Sequence, residues 1–355
     1  MPALPIAPVP GPRTPPGEEA PELPARAAAV LQRHHGLIVA GLRDAAGHLP
    51  DAVREPVLYH CGLLPGARLG KAVRPALTCL VGEGLGERPD RLVPLAVAIQ
   101  LVHDFSLVHD DIVDEDRERR GKPALWVRDG VATALNAGDA LLTLAFRTVA
   151  AAGLAPATAA EAVAVLSEAT LAMVAGQQTD IAATGAPLGG LTPYLTMVGQ
   201  KTGALMGAAC ALGAVGAGAP PGMVQACGEF GRTLGVAFQL RDDVLGVFGD
   251  SQATGKPVGN DLLRRKLGLP LLLAQSGPPR VAEAARRWAE PGGLGAGELA
   301  AAIELLESDG VAARCTALTT TWTERALSAA ARLPLLDRIR ADLDTLGRWL
   351  GERWA

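Results

Sequence analysis

Apolar residues recur at helical spacing along almost the whole sequence, and no stretch alternates between apolar and polar residues for long. Aromatic residues make up only 3% of the 355 residues while alanine and leucine dominate, a composition that favours packed helices over sheets. Clusters of proline and glycine divide the chain into helical segments of mostly about 15–30 residues. The sequence therefore predicts an all-α fold, a single helical bundle over residues 26–355.

The first 25 residues differ in composition from the rest. The stretch "MPALPIAPVPGPRTPPGEEAPELP" is rich in proline and has no charged start followed by an apolar core, so it predicts a disordered tail and not a signal peptide. The most membrane-like stretch, "TGALMGAACALGAVGAGA" at 202–219, consists mainly of glycine and alanine and is too weakly apolar for a span. It predicts a closely packed interior helix, and we expect no membrane span.

Charge and cysteine content exclude two further classes of protein. The formal net charge is −4 and the basic residues are dispersed, which gives no indication of nucleic-acid binding. The 5 cysteines are odd in number and widely spaced, with no C-x-x-C pair. This pattern predicts reduced thiols in a cytoplasmic protein, with no disulfide framework or cysteine metal site.

The stretch "LVHDDIVDEDRERRGKP" at 107–123 places three aspartates at the end of an apolar segment. On a helix over residues 92–114, Asp110, Asp114 and His103 lie within about 40° of one another, and Asp111 lies beside them. Carboxylates are disfavoured at this end of a helix because the helix dipole is negative there. Taken alone, the pattern fits either a solvated helix end or a metal site.

A second apolar segment, residues 231–250, carries the adjacent acids Asp242 and Asp243, with Gln239 on the face of Asp242. Two such clusters on different helices can face each other across a bundle core. Their oxygen-only ligands suit a hard cation such as Mg²⁺, which keeps several waters and is often shared with a substrate phosphate. The basic residues that stand in short motifs are natural partners for a diphosphate: Lys71, Arg74, Arg119, Arg120, Lys201 and Lys256.

These motifs resemble those of the trans-isoprenyl diphosphate synthases, the polyprenyl synthetase family that includes farnesyl and geranylgeranyl diphosphate synthases. The resemblance runs in the family's order from about residue 65 to about residue 270. It rests on "GKAVRP" at 70–75, "DDIVD" at 110–114, "RRGKP" at 119–123, "GQQTD" at 176–180, "KTG" at 201–203, "FQLRDD" at 238–243 and "GKP" at 255–257. It implies a helical bundle of the isoprenoid synthase type with a central active-site cavity.

The resemblance also implies roles for the acids and for the residues that bind isopentenyl diphosphate. Asp110, Asp114 and Asp242 would bind Mg²⁺, roughly three ions with substrates present. The assisting acids would be Asp111 and Asp243. The isopentenyl diphosphate would be held by four side chains: Lys71, Arg74, His103 and Arg120.

The remaining matched residues are expected around the allylic diphosphate and the reacting carbons. Arg119, Lys201 and Lys256 would contact that diphosphate, and Lys201 would also take part in catalysis. The other residues implied at this part of the cavity are Gln177, Thr202, Gln239 and Lys266.

The sequence departs from the family pattern at two places. The second acidic motif has Gly246 where a third aspartate is usual, and Asp250 lies too far along a helix to replace it. In "NDLLRRKLGLP" at 260–270, Lys266 matches the pattern, whereas Arg264, Arg265 and Gly268 do not. We expect Asp242 to bind the metal directly, with help from Asp243.

The implied activity is a prenyl transfer that condenses isopentenyl diphosphate with dimethylallyl, geranyl or farnesyl diphosphate. Phe105, five residues before Asp110, occupies a position where an aromatic limits product length in short-chain members, and Ser106 beside it is small. This combination resembles geranylgeranyl (C20) synthases, although a helical wheel places Phe105 away from the aspartates. A farnesyl (C15) synthase, a class I terpene cyclase and a non-catalytic subunit are the alternatives, and the family implies a homodimer.

Overall fold

The structure is a computed structural model that describes residues 22–67, 69–183, 189–249 and 259–352. The all-α prediction is confirmed, because helices form nearly all of the regular structure in these ranges and the strands amount to one short hairpin. The first helix begins at Glu22, four residues before the boundary expected at residue 26. The predicted disorder of residues 1–21 falls outside the described residues, as do Asp250 and Lys256.

The described helices, numbered in chain order, are these. The first ten are α1 Glu22–Gln32, α2 His35–Gly47, α3 Asp51–Cys61, α4 Val73–Gly84, α5 Pro89–Val113, α6 Leu125–Asp129, α7 Val131–Ala150, α8 Pro156–Ala182, α9 Leu191–Val198 and α10 Ala204–Gly216. The next seven are α11 Pro221–Phe248, α12 Asn260–Leu263, α13 Leu269–Gln275, α14 Pro279–Ala289, α15 Leu299–Ser308, α16 Val311–Ala331 and α17 Asp337–Glu352. Strands β1 Glu118–Arg119 and β2 Lys122–Pro123 form the antiparallel hairpin, a π-helical turn covers Gly199–Gly203, and a 3₁₀ turn covers Ala296–Glu298.

Two apolar cores lie along the long helix α11. Its first half contributes Phe230 and Leu234 to a large core formed with α2, α4, α5, α7, α8, α10 and α17. Its second half contributes Leu240 and Val244 to a smaller core formed with α9 and with α13 to α16. Since α5 lies in the large core and α11 spans both, the two acid-bearing helices are held on the same rigid framework.

The glycine- and alanine-rich stretch predicted to lie inside the protein does so. Every residue of α10 from Ala204 to Val215 is buried. Close contacts between helix backbones explain why small residues are needed here. A Cβ atom on Gly213 would lie 2.4 Å from the carbonyl oxygen of Thr78. A Cβ atom on Gly231 of α11 would lie 2.4 Å from the carbonyl oxygen of Met206. The π-helical turn before α10 is packed as tightly, because a Cβ atom on Gly176 of α8 would lie 2.3 Å from the backbone nitrogen of Lys201.

Two helices are long and apolar enough, by length and composition, to cross a membrane. They are α5 and α8. In α5, 67% of the most apolar 18-residue stretch is buried in the bundle, as is usual for a core helix, whereas in α8 the buried share of the corresponding stretch is 33%. The expectation that the chain has no membrane span remains a prediction. All five cysteines are free and buried in the structure, and their reduced state remains a prediction.

Candidate active site

The first acidic cluster lies at the carboxyl end of α5, as the sequence predicts. Asp110 and Asp111 stand in the last turn, and Asp114 follows it, its backbone N–H donating to the carbonyl oxygen of Asp110 at 2.8 Å. Burial raises the pKa of Asp110 to about 6, against the opposing effect of the Lys201 ammonium. Because the helix dipole adds negative potential here, this end of α5 needs positive charge from elsewhere in the fold.

A cavity of about 450 Å³ begins at this cluster and extends between α5, α8 and α11. Its polar lining residues include Arg74, His103, Asp110, Gln177, Lys201, Thr202, Gln239 and Asp242. Its apolar lining residues are Phe105, Leu107, Val113, Met173, Val174, Ile181, Leu205 and Phe238. The structure therefore brings Asp110 and Asp242, predicted from separate helices, to the same cavity, which also has an extensive apolar lining.

Asp243 is engaged differently from Asp242. Its Oδ2 accepts hydrogen bonds from the Tyr194 hydroxyl and from the backbone N–H of Leu269 at 2.9 Å, and its Oδ1 accepts one from the side-chain amide of Gln239 at 2.9 Å. Burial raises the pKa of Asp243 to about 6 despite these donors. Since both oxygens bind protein groups, Asp243 joins α9 and α13 to α11, and the assisting role that the resemblance implies would be through Gln239.

Arg119 and Arg120 are adjacent in the chain but contact different acids. The Arg119 Nε lies 2.7 and 2.9 Å from the two oxygens of Asp111, and its Nη2 contacts the same carboxylate. The Arg120 Nη2 lies 3.3 Å from Oδ1 of Asp104, a buried acid that the sequence analysis did not select. Both oxygens of Asp111 thus bind an arginine in this structure, so its geometry favours a role in placing Arg119.

The residues predicted to hold isopentenyl diphosphate are brought together in part. Nη1 of Arg74 lies 3.2 Å from Nε2 of His103, and the Arg120 guanidinium lies against the backbone of Gly70, where a Cβ atom would be only 3.2 Å from it. Burial, followed by the charge of Arg74, holds the pKa of His103 well below its usual range, so its neutral imidazole can accept from Arg74. Lys71 Nζ instead lies 4.8 Å above the ring centre of Trp349 in α17.

The π-helical turn presents Lys201 and Thr202 to the cavity. Lys201 forms an ion pair with Asp180 of the "GQQTD" motif, and the Thr202 hydroxyl donates to Oε1 of Gln239 at 2.7 Å. Gln177 also lines the cavity, and its buried Oε1 has no hydrogen-bond partner among the described residues. A π-helical turn within a helix is common at functional sites, because it changes the direction in which its side chains point.

The segment after α12 closes the other side of the acidic cluster. Lys266 Nζ lies 3.1 Å from Oδ2 of Asp114, and the Arg264 guanidinium contacts Asp116 and lies 3.4 Å from the Asp114 carbonyl oxygen. Arg264, one of the residues off the family pattern, therefore supplies positive charge to the first cluster. Lys266, expected at a diphosphate, neutralises Asp114 in this structure.

Position 246, where the family usually has an aspartate, is a glycine, but another aspartate lies next to it in the fold. A Cβ atom on Gly246 would lie 2.1 Å from Oδ2 of Asp261, so the Asp261 carboxylate lies where a side chain at 246 would begin. Asp261 stands in α12, fifteen positions along the chain, and the sequence analysis did not identify it. The only signal in the sequence was the unusual glycine itself, and the fold was needed to show which residue lies against it.

The acids at the cavity suit a hard divalent cation shared with a phosphate ligand. Asp110 and Asp242 line the cavity and Asp114 stands one turn from Asp110, and all three offer oxygen only. Within the described residues, no three His, Cys, Asp or Glu side chains stand close enough to hold a metal by themselves. A Mg²⁺ ion would take one or two of the three carboxylates and complete its shell with water and substrate oxygens.

The chain is similar to proteins of known activity over nearly its whole length. The polyprenyl synthetase family profile matches residues 62–305. A (2E,6E)-farnesyl diphosphate synthase of Mycobacterium tuberculosis is 38% identical over 96% of this chain and 97% of that protein. A geranylgeranyl diphosphate synthase of the same species is 37% identical over 85% of this chain and 88% of that protein. The crystal structure of a polyprenyl synthetase from Streptomyces coelicolor, 34% identical, superposes with a TM-score of 0.83 over 91% of this chain and 98% of that one.

Replacing Tyr194 by phenylalanine should destabilise the protein in a pH-dependent way. The folded-state pKa of Asp243 lies above the 3.8 of an exposed aspartate, so ionising Asp243 lowers stability as pH rises through about 6. Removing the Tyr194 hydroxyl raises that pKa further, so the loss should grow with pH, reaching about 1–3 kcal/mol at pH 8. Urea denaturation in EDTA at pH 5 and at pH 8 measures it.

Tyr59→Phe is the matched control, because the Tyr59 hydroxyl donates to the carbonyl oxygen of Pro123 at an exposed site. Its effect should be small and equal at both pH values. An equal loss for Tyr194→Phe at both pH values would contradict the assignment of Asp243 as the ionising partner.

Proposed function

Because the chain belongs to the polyprenyl synthetase family and is a short-chain prenyl diphosphate synthase, we propose that it condenses isopentenyl diphosphate with an allylic diphosphate in a Mg²⁺-dependent reaction that gives geranylgeranyl diphosphate. The observation that carries the proposal is the cavity itself. Asp110, Asp242 and Lys201 line it together, and the apolar side chains that would contact a prenyl tail line the same cavity.

In the proposed reaction the allylic C–O bond breaks, and the leaving diphosphate must be stabilised as it takes the electron pair. Mg²⁺ held by Asp110, Asp114 and Asp242 would neutralise that charge. Lys201 stands at the cavity beside these acids and would add a fixed positive charge where the leaving group develops. Arg119, placed by Asp111, would contact the same diphosphate from the hairpin.

The new C–C bond forms when the double bond of isopentenyl diphosphate attacks the allylic cation. Arg74, His103 and Arg120 would hold the isopentenyl diphosphate, while Lys71 would join them by leaving the Trp349 ring. The Thr202 hydroxyl and the Gln239 side chain, hydrogen bonded to each other, would fix the polar wall beside the cation. A proton is then lost, and we propose the departed diphosphate as its acceptor, since no side-chain base is assigned.

Phe105 is proposed to set the product length. It is 8% exposed and lines the cavity, as does Ser106. The His109 ring packs edge-on against the Phe105 ring with centroids 4.9 Å apart, and His109 itself lies against Gly138 of α7, where a Cβ atom would be 2.3 Å from its Nε2. His109 also lines the cavity, so the two packed rings of Phe105 and His109 would together limit the depth available to a prenyl tail.

The farnesyl product is the second candidate, because a farnesyl diphosphate synthase and a geranylgeranyl diphosphate synthase match this chain almost equally well. We favour the longer product because Ser106, beside Phe105, leaves the cavity wall less crowded than a second aromatic would. Product analysis distinguishes the two candidates directly.

A cytoplasmic homodimer is also proposed. Free buried thiols are consistent with a reducing compartment. The carboxyl end of α5 and the neighbouring helices α7 and α8 expose apolar side chains that a second copy would cover. They are Val131, Leu135 and Leu171, together with Val113, Val174 and Ile181, which also line the cavity.

The proposed activity is tested by incubating the purified chain with Mg²⁺, isopentenyl diphosphate and dimethylallyl, geranyl or farnesyl diphosphate in turn. We expect geranylgeranyl diphosphate as the main product by mass spectrometry, no product in EDTA, and a rate at least about a hundredfold lower for Asp242→Asn. A farnesyl end product would support the second candidate. Absence of any condensation product would contradict the proposed function.

Phe105→Ala should lengthen the main product by one or more isoprene units, because it removes the ring that limits the cavity. His109→Ala should shift the product in the same direction, since it removes the support of Phe105, whereas His109→Phe should retain the native product. Product distributions at matched conversion measure the shift. An unchanged distribution for Phe105→Ala would contradict its proposed role.

A further inference from the structure

Two neighbouring arginines diverge at the tip of the β1–β2 hairpin. Arg120 and Gly121 both have positive φ, 55° and 71°, the pattern of a two-residue type I′ turn. Arg119 extends to Asp111, whereas Arg120 extends to Asp104. The two aspartates stand seven positions apart on α5, about two helical turns or roughly 10 Å along its axis. Each arginine is thus directed to a different level of the same helix.

Asp104 is built into the protein interior. Its exposed fraction is 0%, and its Oδ2 accepts a hydrogen bond at 2.9 Å from Nε2 of Gln100, which is itself buried. Burial raises the pKa of Asp104, and the charge of Arg120 opposes that rise. A buried carboxylate is tolerated only when a partner compensates the lost hydration, which identifies Arg120 as the partner that Asp104 requires.

Two other titratable side chains near Asp104, those of His60 and Cys61, are uncharged at neutral pH. Burial lowers the pKa of His60 to about 3, so its imidazole is neutral, and burial raises the pKa of the Cys61 thiol well above its usual range. Burial lowers the pKa of Arg74 to about 10, against the opposing charges of Asp242 and Asp104, and its guanidinium is in hydrogen-bond contact with His103 instead. Arg120 is therefore the cation that hydrogen bonds to Asp104 among the described residues.

The rest of the Arg120 guanidinium lies where the proposed isopentenyl diphosphate would bind. Its Nη1 donates to the carbonyl oxygen of His60 at 3.4 Å, and its plane lies on the backbone of Gly70, next to Lys71. A side chain at position 70 would crowd the guanidinium. The arginine is fixed on three sides, by Asp104, by the end of α3 and by Gly70.

We propose that Asp104 is a positioning residue that directs Arg120 to the isopentenyl diphosphate, while Asp111 directs Arg119 to the allylic diphosphate. This inference rests on the proposed function. If the Asp104 carboxylate were not present two helical turns before Asp111, both arginines could bind the same diphosphate. With Asp104 in place, the consecutive residues Arg119 and Arg120 each bind a different substrate. A fixed guanidinium also binds a diphosphate without first being ordered, which is the advantage of a pre-organised donor.

Asp104→Asn tests the proposal, because asparagine keeps the size of the side chain and removes its charge. We expect the KM for isopentenyl diphosphate to rise about tenfold or more, as for loss of a charge-assisted contact, with the KM for the allylic diphosphate changed less than about twofold. Titration calorimetry with isopentenyl diphosphate alone should show the same loss of affinity. Asp111→Asn is the matched variant, and it should weaken the allylic substrate while leaving the KM for isopentenyl diphosphate nearly unchanged.

A double variant separates positioning from general damage. In an Arg120→Gln background, adding Asp104→Asn should raise the KM for isopentenyl diphosphate no further, since the residue that Asp104 holds is already gone. If Asp104→Asn does not fold, Gln100→Met carries the test: it removes the donor that orients Asp104 and keeps its charge. It should raise the KM for isopentenyl diphosphate about threefold and leave the allylic KM unchanged.

The proposal is overturned if Asp104→Asn raises both KM values equally, leaves both unchanged, or adds its full effect to that of Arg120→Gln. It is also overturned if Gln100→Met, used in its place, leaves the KM for isopentenyl diphosphate unchanged. These outcomes are distinct from failure of the proposed function, in which the unaltered chain itself forms no condensation product.

Discussion

The crowding of carboxylates at the carboxyl end of α5 is the constraint on which the rest of the site depends. Three aspartates stand where the helix dipole is already negative, and burial makes the ionisation of Asp110 and Asp111 still more costly. The fold answers with cations from separate segments. Arg119 of the hairpin pairs with Asp111, Lys266 after α12 pairs with Asp114, and Lys201 of the π-helical turn stands near Asp110.

These ion pairs balance part of the negative charge of the acids, and we propose that they also prepare the exchange that the proposed reaction requires. A diphosphate entering the cavity would offer oxygens to Lys201, the partner of Asp180, and to Lys266, the partner of Asp114. Moving Lys266 onto the diphosphate would free a carboxylate oxygen of Asp114 for a divalent cation. Metal and diphosphate would then bind together, because each compensates the charge that the other displaces. The same cations that balance the acids of the site would stabilise the leaving group.

The parts of the site that could be predicted from the sequence are those set by local patterns. The acid-bearing helix expected at 92–114 is observed at Pro89–Val113, and the one expected at 231–250 is the second part of Pro221–Phe248. Helical periodicity predicted which acids share one face of each helix, and the presence of an acidic cluster on two apolar helices indicated a shared site. Asp110 and Asp242 do line one cavity.

What could not be predicted depends on partners distant in sequence. Asp104 resembles any acid within an apolar helix until the hairpin brings Arg120 to it, and Asp261 gains meaning only when α12 packs against Gly246. The helical wheel separated Phe105 from the aspartates, yet both line the cavity, because a cavity can wrap around more than one face of a helix. Asp243, adjacent to Asp242, binds Tyr194 and Leu269 because α9 and α13 pack on its side.

We propose that the acids and cations at the end of α5 exchange part of their internal pairing for a divalent cation and a diphosphate that bind together. The most direct test is the melting temperature of the protein with inorganic pyrophosphate, measured with Mg²⁺ and with EDTA. We predict a rise of several degrees, on the order of 3 °C or more, only when both Mg²⁺ and pyrophosphate are present. An equal rise with pyrophosphate in EDTA, or no rise with both present, would contradict the claim.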